Sequence, residues 1–199
     1  MRRAVVACAA FVAAVASAED LAVDGSCRDG QPHGAYEVRG PDGTARVVGA
    51  FARGRRTGTF LFWSSGGARV ALLPFDDDAL SGTVTLWHAP AGRAGDVRPK
   101  LEAVYVRGQP NGEKRSWHPD GRLRAEYRYE RGALVAARAW TEAGKPMSED
   151  EARALAQRDL ATDDAHYSSL AAFVRAHLPR CDAGAPDRIG KDKAPPRAL

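Results

Sequence analysis

A pair of glycines separated by three residues recurs through the middle of this chain, and that recurrence constrains the fold more than any other feature. The second glycine of each pair is Gly34, Gly58, Gly82 and Gly112, in steps of 24, 24 and 30 residues. The leading partner is Gly30, Gly54 or Gly108, with Asp78 in its place in the third copy. Gly132 opens a fifth copy. Self-similarity at such a period means that one supersecondary unit is stacked repeatedly, each copy burying what its neighbour cannot bury alone.

Other columns keep the same register. Trp63, Trp87 and Trp117 each stand five residues after the second glycine, with Arg39 in the first copy. Gly43, Gly67 and Gly121 stand nine after it. Phe51, Phe75 and Tyr129 stand seventeen after it, and Tyr105 joins them once six residues around "PAGRAGDVRPK" are treated as an insert. The fifth copy keeps Trp140 and Gly144 before it decays.

One copy reads as a β-hairpin. "TFLFW" (59–63) and "TVTLW" (83–87) are β-branched and aromatic, which suits a pleated strand. Pro-Asp-Gly or Gly-Gly then supplies turn geometry with positive φ at glycine. A second run such as "LRAEYRY" (123–129) partly alternates apolar and polar residues. A single hairpin is marginal in water, so the copies are expected to pair into one antiparallel meander with a shared core. The fold class expected is mainly β, a meander of hairpins of about 24 residues over residues 28–145, with a C-terminal α-helical cap.

The glycines themselves do not read as a phosphate cradle. Such loops lie between a strand and a helix N-terminus. These lie between strands, and "GEK" (112–114) is followed by no helix signal. Nor are the flanks apolar enough for a membrane helix contact.

The pattern "G-x-x-x-G … W … (D/N)-G … (Y/F)" resembles the bacterial variant of the MORN repeat family. It is carried best by "GQPNGEKRSWHPDGRLRAEYRY" and "GRRTGTFLFWSSGGARVALLPF", and it covers about residues 28 to 141. The resemblance implies an elongated sheet of hairpins serving as an interaction surface. Bacterial relatives are often labelled antitoxin-like, so an antitoxin- or immunity-like inhibitor is a further implication.

The two ends read differently. Arg2 and Arg3, an apolar run from Ala4 to Val15 and the A-x-A pattern Ala16-Ser17-Ala18 form a secretory signal peptide over residues 1–18. Export to a bacterial periplasm or beyond is expected. The chain carries 29 Lys+Arg against 25 Asp+Glu, and losing Arg2 and Arg3 leaves 27 against 25, a net of +2. Such balance gives no argument for nucleic acid. Of the three cysteines, Cys27 and Cys181 remain after the leader. An exported chain permits a disulfide between them, the alternative being two free thiols. Residues 182–199 are rich in Pro, Gly, Ala and charge and read as a disordered tail.

The cap is expected over residues 147–180. "SEDE" (148–151) is a capping box. Ala152, Leu155, Ala156 and Leu160 fall at helical spacing, and a second helix is expected from about Thr162 or Asp163, with Tyr167, Leu170, Ala171, Val174 and Leu178 as its stripe. Pro179 ends it.

No constellation of catalytic residues emerges. His88 and His118 share a register position after the tryptophan, so they repeat with the unit. A zinc site needs three or four converging ligands. "DDD" (76–78) lacks the spacing of a calcium loop. No serine sits in a G-x-S-x-G elbow. No cofactor or metal is expected, and an enzyme reading rests on an unseen site in the insert around Asp96 to Lys100 or between sheet and cap.

Two aromatic ladders remain, the tryptophans and the Phe51, Phe75, Tyr105, Tyr129 column. Each is either core or a binding face. The candidate face is Trp63, Trp87 and Trp117 with Arg122, Arg124 and Arg128. The leading expectation is a non-enzymatic exported scaffold that binds another protein. The alternative is a module that binds envelope lipid or glycan through the aromatic and arginine face.

Overall fold

The computed structural model describes residues 20–88 and 98–181. The expected leader and tail, and Asp96 within the insert, lie outside the described residues.

The hairpins form one open antiparallel sheet. Its strands are β1 (Ala22–Arg28), β2 (Gln31–Arg39), β3 (Ala45–Ala52), β4 (Arg55–Trp63), β5 (Arg69–Asp76), the two-residue β6 (Ala79–Leu80), β7 (Gly82–Trp87), β8 (Pro99–Val106), β9 (Gln109–Trp117), β10 (Leu123–Glu130) and β11 (Ala133–Ala139). They lie side by side in chain order, with β6 set aside as a short partner of β5. The expected class, a mainly β meander with a helical cap, is what the chain forms.

The repeat has a visible cause at the links. Asp29-Gly30, Arg53-Gly54, Asp77-Asp78, Arg107-Gly108 and Arg131-Gly132 all have positive φ at both residues, the signature of a two-residue type I′ turn. Its twist matches that of the flanking strands, so strand pairing continues through the link. Successive links are also tied together. The Gly54, Asp78, Gly108 and Gly132 amides donate to the carbonyls of Pro32, Arg56, Leu80 and Pro110, each two residues past the preceding link. Asp78, the one non-glycine at its position, has its carboxylate on the Arg56 amide and guanidinium.

Strand alternation then sorts the side chains. Two residues after each second glycine stand Tyr36, Phe60, Val84 and Lys114, all 2 % exposed or less. Four after it stand Val38, Phe62, Leu86 and Ser116, also buried. Phe51, Phe75, Tyr105 and Tyr129 are buried, so that ladder is core. Phe60 is its hub, with Phe51 and Phe75 edge-on at 5.6 and 5.4 Å and Tyr36 at 6.2 Å.

Phe60 needs Gly49 on the adjoining strand, because a Cβ added there would stand 2.6 Å from the ring. Gly49→Ala is expected to cost about 1–3 kcal/mol, since the crowded ring has no room to yield. A lower urea midpoint with an unchanged slope is the expected readout, and an unchanged midpoint would show that the core relaxes freely around Phe60.

The cap is one helix, α1 (Glu149–Ala176), and not the two that the sequence suggests. Ser148 and Glu151 form the expected capping box. The helix runs across the strands. At about 1.5 Å per residue its 28 residues reach about 42 Å, and ten strands about 4.8 Å apart span about 43 Å. Ala152 and Ala156 meet Tyr127, Tyr129 and Ala139 at one side of the sheet. Tyr167 packs edge-on against Tyr105 at 5.9 Å. Tyr36 donates to the carbonyl of His177, and Cys181 reaches Cys27 on the first strand with Cα atoms 5.6 Å apart. The expected pairing of the two cysteines is thus placed at disulfide distance.

β1 lies outside the span legible as repeats. Its "AVDGSCR" has little apolar alternation, and pairing with β2 makes it a strand.

Candidate binding cleft between sheet and helix

The repeat's core columns turn polar in the fourth copy, and this places a site. Lys114 stands where other copies have Tyr36, Phe60 and Val84, and Ser116 where they have Val38, Phe62 and Leu86. The helix answers with two carboxylates. Asp159 and Asp163 continue the spacing of Ala152 and Ala156 on one side and Tyr167, Leu170 and Val174 on the other, so both lie on the sheet-facing stripe.

Lys114 and Asp163 form a buried ion pair, with side chains 1 % and 10 % exposed. Burial raises the Asp163 carboxyl above its ordinary range, and the neighbouring ammonium offsets only part of that. Asp159 goes the other way. Burial alone would raise it, but hydrogen bonds from Arg124 at 2.7 and 2.9 Å and from the Tyr127 hydroxyl at 2.8 Å hold it below the usual carboxylate range. The two-pronged Arg124 contact has the geometry of the strongest carboxylate pairing.

Beside these pairs a cleft of about 390 Å³ opens between α1 and the tryptophan end of β7–β10. Trp117, His118 and Pro119 form part of its wall, with Lys100 on β8 and Glu142 in the turn after β11. Arg124, Ser116, Asp159, Asp163 and Thr162 also line it. His88 and Leu101 complete the set. The place between sheet and cap, where the sequence leaves room for an unseen site, therefore holds an open cleft with both polar and apolar lining.

The two register-matched histidines are clasps between hairpins. His88 Nε2 lies 2.9 Å from the Trp117 carbonyl, and His118 Nε2 3.3 Å from the Trp140 carbonyl. A carbonyl only accepts, so Nε2 is the protonated nitrogen in both rings. Ser116 Oγ accepts from Arg124 at 3.3 Å. Among the described residues no three His, Cys, Asp or Glu converge as metal ligands.

The candidate residues scatter. Trp63, Trp87 and Trp117 each end a strand and are half-buried, neither core nor open surface. Arg122 is exposed and paired with Asp120 in its turn. Arg128 is exposed and paired with Glu130 at the far end of β10. Arg124 is committed to the helix. Of the six, Trp117 and Arg124 line the cleft. Sequence reasoning missed Lys114, Asp159 and Asp163, although a lysine in a column of Tyr, Phe and Val was a legible signal.

The opposite face of the sheet carries a continuous cross-strand row: Glu37, Val48, Leu61, Leu72, Thr85, Glu102, Arg115, Glu126 and Arg138. Its centre is apolar and half-buried, and one flank alternates in charge. Arg115 is 3.3 Å from Glu126 within it.

No family model matches the chain, and neither a curated protein nor a solved structure matches it.

Proposed function

We propose that this is an exported, non-enzymatic repeat protein whose sheet is a scaffold for another protein, docked on the face that α1 does not cover. The observation that carries the reading is the division of labour between the two faces. Helix and aromatic core occupy one, while the other offers Val48, Leu61 and Leu72 in register beside the ladder Glu102, Arg115, Glu126 and Arg138. An apolar centre flanked by ordered charges of both signs suits a protein surface of complementary pattern. The leader-like residues 1–18 and the cysteine pair at bonding distance support an oxidising compartment.

The test places a photoreactive amino acid at Thr85, in the middle of the row. Crosslinking in the intact envelope is expected to give one discrete protein adduct. Leu72→Asp should abolish it while leaving the circular dichroism spectrum intact. Absence of any adduct, or one indifferent to Leu72→Asp, would overturn the reading.

A lipid-binding face finds less support, since Arg122, Arg124 and Arg128 each already hold a carboxylate.

A further inference from the structure

The cleft under α1 is distinct from the outer sheet face, and we infer that it is a binding site for a neutral, polyhydroxylated ligand of saccharide type. Four features carry this. The first is size, since about 390 Å³ accommodates one or two sugar rings. The second is electrostatic balance. The lining carboxylates Asp159 and Asp163 are matched by Arg124 and by Lys114 just behind the wall, and exposed Glu142 is matched by exposed Lys100. A net charge on the ligand would meet no surplus of opposite sign.

The third feature is the mixture of donors and acceptors. A sugar hydroxyl donates and accepts at once, so its site must present both within a few ångströms. Thr162 and Ser116 hydroxyls, the Lys100 ammonium and the Glu142 carboxylate supply both kinds. Arg124 and Asp159 are fixed to each other, and that pairing holds their remaining hydrogen-bonding positions in place without an ordering cost on binding. The fourth is Trp117, a half-buried residue of the wall, whose ring is the kind of flat apolar surface against which the C–H face of a pyranose packs. A purely apolar ligand would strand these polar groups, and a charged one would unbalance them.

The site does not depend on the scaffold reading, and one experiment separates them. Intrinsic fluorescence and calorimetry of the full chain would be followed with glucose, N-acetylglucosamine and their β-1,4-linked disaccharides. Glucuronate, inorganic phosphate and choline serve as charged comparisons. Binding of at least one neutral sugar is expected, insensitive to added salt, with a change in tryptophan emission. Trp117→Ala should weaken it about tenfold, equivalent to about 1.4 kcal/mol. Glu142→Gln, at an exposed position, should weaken it several-fold without touching the fold. Trp63→Ala and Leu72→Asp should leave it unchanged.

Binding only of glucuronate, phosphate or choline would overturn the assignment. So would silence toward all the sugars, or sugar binding that survives both Trp117→Ala and Glu142→Gln.

Discussion

Replacing Cys27 and Cys181 together by serine is expected to lower the stability of the oxidised protein by about 5 kcal/mol on the loop-entropy scale. The size follows from a sequence separation of 154 residues, which makes the closed loop most of the folded chain. The place of the link adds a local signature. It ties the segment after α1 to β1, the outermost strand, which pairs with β2 alone. Pro179 rests against Gly25 there, and a Cβ on Gly25 would stand 3.1 Å from its Cγ. Hydrogen exchange should therefore accelerate first in β1 and in residues 177–181, while β4 and β5 keep the exchange rate of global unfolding. A denaturation midpoint shared by the serine variant and the oxidised protein would show that packing alone holds the two ends.

Lys114→Met is expected to cost about 3–5 kcal/mol at neutral pH, because it leaves the Asp163 carboxylate buried without its cation. The pH dependence distinguishes this from simple loss of packing. Asp163 already has a raised pKa in the folded protein through burial, and removing the ammonium raises it further. A carboxyl whose folded pKa lies above its unfolded value binds more protons in the native state, so stability falls as pH rises through that interval. Lys114→Met should regain stability on acidification. Asp159 has the opposite sign. Its lowered pKa contributes stability above the unfolded carboxylate value, lost as pH falls through the folded one. Moderate acid is the window in which Asp163 protonates before Asp159 does. Replacing both partners, with Lys114→Met and Asp163→Leu, should recover most of the loss, since the rest of the column and most of the stripe are apolar. Equal destabilisation of the single variant at acid and neutral pH would rule out the unpaired carboxylate as its cause.

The hairpin array was legible because its determinants are local. Type I′ links and in-hairpin turns need particular residues at particular φ, so Gly30, Gly54, Gly108 and Gly132 mark the links in the sequence itself. The single helix was not legible. Asp163 after Ala161-Thr162 looks like a helix start because short acidic residues favour N-caps. The tertiary contact that overrides this is Lys114, 49 residues away. β1 was missed for a related reason, since an edge strand with a mixed sequence is made by its neighbour.

The burial of the tryptophans was set by the tertiary structure too. Trp63, Trp87 and Trp117 stand at strand ends, where alternation breaks at irregularities of the pairing register after Phe62, after Leu86 and near Leu123. Period-two reasoning assigns no face across such a break.

By itself, then, the sequence determined the repeat and the strand order, because turn chemistry and alternation act over a few residues. Only the tertiary structure decided that one helix crosses every hairpin, that Arg124 belongs to Asp159 rather than to a surface, and that a cleft opens beside Trp117. Those depend on which distant side chains a helix about as long as the sheet is wide brings into contact, and no spacing along the chain encodes that distance.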